Sequence, residues 1–87
     1  MARLLVVDDD AAALELRRLI LEREGHQVSS ASDTVRARVL FSETLPDTVV
    51  LDLRLPEAAD GRALIREFRG AAPGVRIIVL ADRKSVV

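Results

Sequence analysis

The feature that most restricts the fold is an alternation. Short aliphatic, β-branched runs take turns with longer stretches of helical periodicity along all 87 residues. Leu4–Val7 is a continuous apolar run that opens into Asp8, Asp9 and Asp10, the pattern of a buried strand ending at a loop. Ala11–Glu24 predicts a helix, with Leu16, Leu19, Ile20 and Arg23 at helical spacing and Gly25 as its stop. Gln27–Ala31 predicts a weak strand around Val28. Ser32 or Asp33 can cap a second helix through about Thr44 that turns Val35, Val39 and Leu40 inward, before Pro46-Asp47 breaks it. Thr48–Leu53 predicts the strongest strand, aliphatic or β-branched apart from Asp52. Pro56 to Gly61 reads as a loop, and about Arg62–Arg69 as a third helix that buries Leu64, Ile65 and Phe68. Gly70 to Gly74 ends that helix, and Val75–Leu80 predicts a fourth strand.

Strands alternating with helices imply an α/β domain built on a parallel sheet. Continuously apolar strands fit a sheet covered on both faces. Periodicity alone leaves the strand order open. The length suits one domain, residues 1–87, whose core is aliphatic because Phe41 and Phe68 are the only aromatics. The composition also removes whole classes of chemistry. Without cysteine there is no disulfide framework, Cys-type zinc site or thiol nucleophile. His26, the lone histidine, reads as an exposed turn residue. Thirteen basic residues against 14 acidic ones argue against direct nucleic-acid binding. No apolar run comes near the ~20 residues of a membrane span, and the start lacks the pattern of a signal peptide, so a cytoplasmic location is expected. Arg17, Arg18, Arg36, Arg38, Arg62, Arg66 and Arg69 read as solvated helix faces balanced by glutamates.

In a parallel sheet the carboxyl ends of the strands share one edge, where ligands of open α/β sheets bind. Asp8 and Asp9 follow the first strand, Asp52 sits near the end of the third and Asp82 follows the fourth. If the first and third strands are neighbours, Asp9 and Asp52 face each other there. Such a cluster, with no basic partner nearby in the sequence, is unfavourable because like charges oppose ionisation. Hard oxygen ligands with open positions suit Mg²⁺ and, through it, a phosphoryl donor. A carboxylate beside the metal can then act as nucleophile and form an acyl phosphate. Asp52 is the better candidate, because it interrupts an apolar strand. The plainer reading of the triple Asp is a helix cap from Asp9 or Asp10. No Walker A lysine or GxGxxG loop is present.

Leu4-Leu5-Val6-Val7-Asp8-Asp9-Asp10, then Val49-Val50-Leu51-Asp52-Leu53-Arg54-Leu55-Pro56 and Asp60-Gly61, resembles the receiver domain of bacterial response regulators. The spacing of 43 residues between Asp9 and Asp52 fits two strand–helix units. The resemblance implies a flavodoxin-like, doubly wound parallel sheet of order 2-1-3-4(-5), the order known for single-domain regulators of that family. It implies that Asp52 is the phosphoacceptor for a sensor histidine kinase or phosphotransfer protein. Asp9 would bind Mg²⁺ directly with Asp8 helping, Asp52 would be a ligand, and Arg54 would lend its backbone carbonyl. Pro56 would shape the loop that follows. Such a protein is a kinase substrate and not an enzyme, beyond catalysing its own phosphorylation.

The sequence also departs from the family pattern. Ala81 stands at the switch position where receivers carry Ser or Thr, and Asp82 adds negative charge beside it. Receivers carry a lysine after a fifth strand, whereas Lys84 comes only 32 residues after Asp52. The fifth strand and last helices are missing, so a receiver incomplete at the C-terminus is expected, with the fourth strand as an open edge. Open edges invite pairing, so a homodimer through Val75–Leu80 is expected. The alternative function is a degenerate, phosphorylation-independent receiver that serves as a dimerisation and interaction module.

Overall fold

The computed structural model describes residues 2–52 and 58–80. Its elements follow the order β1 (Arg3–Val7), α1 (Ala11–Arg23), β2 (Gln27–Ala31), α2 (Thr34–Thr44), β3 (Thr48–Asp52), α3 (Ala58–Ala71) and β4 (Arg76–Leu80). The four strands are parallel and ordered β2-β1-β3-β4, the order expected from the resemblance. Leu5, Val7, Val49 and Leu51 alternate onto one face and pack with Ala37, Leu40 and Phe41 of α2 and Leu64 and Phe68 of α3. The Phe41 and Phe68 rings stack there, with centroids 4.1 Å apart and planes 4° from parallel. α1 lies on the other face against β1 and β2, and its Arg17, Ile20 and Leu21 share an open hollow with Val50 and Leu80.

Caps fix the helix ends. The Asp10 carboxylate accepts hydrogen bonds from the N–H groups of Ala12 (3.0 Å) and Ala13 (3.2 Å), so Asp10, and not Asp9, is the cap of α1. Asp33 caps α2 by accepting from the Arg36 N–H at 2.7 Å. Gly25 follows α1 at φ 94°, a left-handed conformation that costs glycine little. Leu45 ends α2 at φ 49°, where a residue with a Cβ is uncommon.

Four expectations are corrected. Val35 and Val39 are exposed, at 68% and 40%, while Ala37, Leu40 and Phe41 are buried. The stacking of Phe41 on Phe68 sets that helix phase. α1 is likewise turned: Leu16, Leu19 and Ile20 are exposed and Leu14 is buried. α3 starts at Ala58, inside the stretch read as a loop, and runs through Gly70 to Ala71; Ala58 and Ala59 are strong helix formers and favour the earlier start. His26 is half-buried, and its Nδ1 accepts the Ala2 N–H at 3.1 Å, which ties the start of β1 to the turn before β2. Leu53, the expected end of the third strand, lies outside the described residues.

Helix faces away from the sheet carry the predicted charge pairs. Arg18 binds Glu15 and Glu22, and its guanidinium holds the Glu15 carboxyl below the usual value. Arg38 on α2 grips Glu67 on α3 through both carboxylate oxygens, at 2.7 and 3.0 Å, and lowers the Glu67 pKa. Solvent screens exposed pairs of this kind and leaves them little net stabilisation, so the aliphatic core dominates stability. Leu64 is fully buried; Leu64→Ala is expected to destabilise the fold by about 2–5 kcal/mol. Val35→Ala on the exposed face should change stability by less than about 0.5 kcal/mol. Urea denaturation followed by circular dichroism checks both.

Candidate functional site

The parallel register builds the site. Val7 is partnered with Leu51 across β1 and β3, so the next residues of the two strands, Asp8 and Asp52, lie side by side. Adjacent strands run about 4.8 Å apart. Strand alternation puts both residues on the face that carries Val6 and Val50, the face on which α1 lies. Both are buried, at 0% and 1% exposure. Asp52 is aligned in turn with Leu80 on β4. The residue opposite Asp52 is thus Asp8, whereas sequence spacing suggested Asp9; Asp9 is exposed one step beyond the strand.

Three consecutive aspartates therefore have three environments. Asp8 continues the ladder, with its N–H donating to the Ala31 carbonyl at 3.1 Å. One Asp8 carboxylate oxygen accepts the Asp10 N–H at 2.9 Å, and the other accepts from Nη1 of Arg17. Asp9 faces solvent, and Asp10 caps α1. The positive end of the helix dipole lies in that same first turn. No buried side-chain nitrogen or oxygen among the described residues lacks a hydrogen-bond partner.

Arg17 is the residue that sequence reasoning misplaced. It is not on a solvated face: its side chain is 21% exposed and paired with the fully buried Asp8. The acidic edge thus has a basic partner that sequence proximity did not reveal. Leu14, Arg17 and Leu21 recur at helical spacing on the less exposed side of α1, and that stripe was the available signal. Arg17 lines an apolar hollow with Ile20, Leu21, Val50 and Leu80, while its head reaches the carboxylate, a common compromise for long basic side chains. Breaking a buried ion pair by removing one partner costs about 3–5 kcal/mol, because a charge is left uncompensated.

The donors available suit a small hard cation. Among the described residues no group of three or more His, Cys, Asp or Glu is placed to hold a metal. Mg²⁺, however, is commonly held by one or two carboxylates, with waters and phosphate oxygens completing its octahedron. Asp8 and Asp52 form such a pair, with exposed Asp9 beside them. Arg54, Ala81, Asp82 and Lys84 lie outside the described residues. At the opposite edge of the sheet, a groove lined by Pro46, Asp47, Thr48 and Arg76 holds one carboxylate. Asp47 accepts the Arg3 N–H there at 2.9 Å, which pins the starts of β1 and β3 together. Among the described residues no helix is long and apolar enough to cross a membrane.

Comparison with known proteins agrees with this architecture. The chain is 38% identical over 84 residues to the virulence transcriptional regulatory protein PhoP of Salmonella typhimurium, covering 97% of this chain and 37% of that protein. It is 42% identical over 84 residues to the response regulator MprA of a Mycobacterium species, covering 97% and 36%. The chain therefore spans little more than a third of the length of these relatives. Among solved structures, a CheY-like receiver domain protein from Methanospirillum hungatei superposes with a TM-score of 0.87 at 28% identity, over 99% of this chain and 68% of that one. A receiver domain protein from Clostridium thermocellum gives 0.82 at 28% identity, over 93% and 65%. The response regulator receiver domain family matches residues 4–87, and with the parallel 2-1-3-4 sheet and its acidic edge, the chain belongs to that family of two-component signalling domains.

Proposed function

We propose that Asp52 is the phosphoacceptor of this receiver and takes its phosphoryl group from a phosphohistidine on a sensor histidine kinase or phosphotransfer protein. The observation that best supports this reading is the position of Asp52: the last residue of β3, 1% exposed and, like the buried Asp8, one step past the paired Val7 and Leu51. A carboxylate held at the end of a buried strand loses little freedom on approach to a reacting phosphorus, so its attack is favoured entropically. One Asp52 oxygen forms the new bond to phosphorus as the phosphorus–nitrogen bond of the donor breaks, and the electron pair of that bond leaves with the imidazole.

Asp8, Asp9 and Asp52 would hold Mg²⁺ through hard oxygen donors, with the Arg54 backbone carbonyl as a further ligand. When bound, the ion supplies positive charge that offsets the carboxylates and the phosphoryl oxygens. The first turn of α1, capped by Asp10, fixes the backbone that presents Asp8 and Asp9. Ala81 stands at the switch position without a hydroxyl, so a phosphoryl group on Asp52 would draw no side-chain hydrogen bond from that residue. In this reading the chain is one receiver domain, a substrate of its kinase, and it acts in the cytoplasm.

Intact mass spectrometry after incubation with acetyl phosphate tests the assignment. Wild type is expected to gain one phosphoryl group in the presence of Mg²⁺ and none in its absence, and Asp52→Asn to gain none. A wild-type sample folded by circular dichroism that gains nothing contradicts it.

A second reading, an interaction module that works without phosphorylation, is favoured by β4. That strand is the edge of the described sheet, with Ile78 51% and Val79 40% exposed. Apolar edge strands pair readily with a second copy. Light scattering should then show a dimer that Ile78→Lys dissociates; a monomer at all concentrations contradicts this reading.

A further inference from the structure

We propose that Arg17 is a built-in counter-ion that occupies the metal-binding edge in the absence of Mg²⁺ and must be displaced when Mg²⁺ binds, so that it sets the affinity of the site for the cation. The inference rests on the phosphoacceptor reading and adds a regulatory residue to it. Three observations carry it. Asp8 is fully buried, and a buried carboxylate needs a compensating partner. Both of its oxygens are already engaged, one by the Asp10 N–H and the other by Arg17 Nη1. The partner comes from α1, whose side chains pack on the same face of the sheet that carries Asp8 and Asp52.

A guanidinium and a divalent cation compete for such an oxygen. They repel each other at close range, and the interaction is strengthened where water is scarce. The Arg17 head therefore leaves Asp8, or moves to the edge of the site, when the metal arrives. Arg17 lines an open apolar hollow with Ile20, Leu21, Val50 and Leu80, so there is room for the end of the side chain to move while α1 stays in place. The same contact has a second consequence: Arg17 offsets the charge of Asp8 in the metal-free protein, so the fold does not depend on Mg²⁺. Loss of Arg17 should make the site bind Mg²⁺ more tightly and the metal-free fold weaker.

Arg18 provides an internal control. It removes the same charge from the neighbouring position of the same helix, yet it pairs with Glu15 and Glu22 and not with Asp8. Calorimetric titration with Mg²⁺ and thermal denaturation in EDTA and in excess Mg²⁺ would be compared for wild type, Arg17→Met, Arg17→Gln and Arg18→Met. Arg17→Met should bind Mg²⁺ about tenfold more tightly or better, melt lower than wild type in EDTA, and gain more in Tm from Mg²⁺. Arg18→Met should track wild type in both measurements. If Arg17→Met is unfolded in EDTA, recovery of its helical circular dichroism on adding Mg²⁺ supports the proposal. If it stays unfolded, Arg17→Gln, which removes the charge but keeps a polar head, decides, and an affinity equal to wild type overturns the proposal. Equal affinity in folded Arg17→Met and wild type, or equal gains in Arg17→Met and Arg18→Met, also overturns it. Acetyl phosphate labelling separates the two levels. Labelled wild type with no affinity change in the Arg17 variants rejects the role of Arg17 alone. No labelling and no Mg²⁺ binding in any variant rejects the phosphoacceptor reading with it.

Discussion

The parallel pairing of β1 with β3 is the constraint on which the rest of the molecule depends. Because Val7 lies opposite Leu51, two strands that are apolar almost throughout deliver their first carboxylates to the same row and the same face. A slip of one residue in either strand would turn its acid toward α2 and α3, into a face filled by Leu5, Val7, Val49 and Leu51. Register is protected by that apolar set and by the opposite edge, where Asp47 clasps both the Arg3 N–H and, through its own N–H at 2.8 Å, the Arg3 carbonyl. Stability and site geometry thus share one origin. The residues that make the strands bury themselves are the ones that aim the acids.

The two faces of the sheet divide the work. One is closed by α2 and α3 around a stacked phenylalanine pair and contains no ionisable group in its buried cluster. The other carries the acids and receives α1, whose contact with the sheet includes an arginine. A polar interaction at that face is tolerated because each charge has a partner: Asp8 meets Arg17 and the N–H of Asp10. The arrangement makes the metal-free edge self-contained, and it gives α1 a direct link to any event at the carboxylates.

Much of this was legible in the sequence, for physical reasons that also explain the failures. Four aliphatic runs, their intervening helices and the shared edge of their carboxyl ends follow from chain connectivity and hydropathy alone, and the triple Asp and Asp52 marked the site. Helix phase was the weak point. In α1 the row Leu16, Leu19 and Ile20 looked like the buried side, but those residues are exposed, while Leu14 is buried and Arg17 pairs with the buried Asp8 carboxylate. In α2 the β-branched Val35 and Val39 misled in the same way, since the flat rings of Phe41 and Phe68 decide which side faces the core. Periodicity reports that a helix has an apolar side; it does not weigh two competing sides. The partner of Asp52 was offset by one for a related reason. Which aspartate still belongs to β1 depends on where the backbone ladder ends, and the Asp8 N–H still donates to β2.

The central claim is that the ends of β1 and β3 form one cation-binding edge. Mn²⁺, which shares the preference of Mg²⁺ for oxygen ligands, broadens nearby amide resonances in NMR spectra, so a titration maps the site directly. The account predicts that broadening is strongest at Asp8, Asp9, Asp10 and Asp52 and falls off steeply toward Arg3 and Thr48 at the far ends of the same strands, roughly 13–17 Å away at the rise of a strand. Broadening centred on Asp47, or spread evenly over the acidic surface while Asp8 and Asp52 stay sharp, would contradict it.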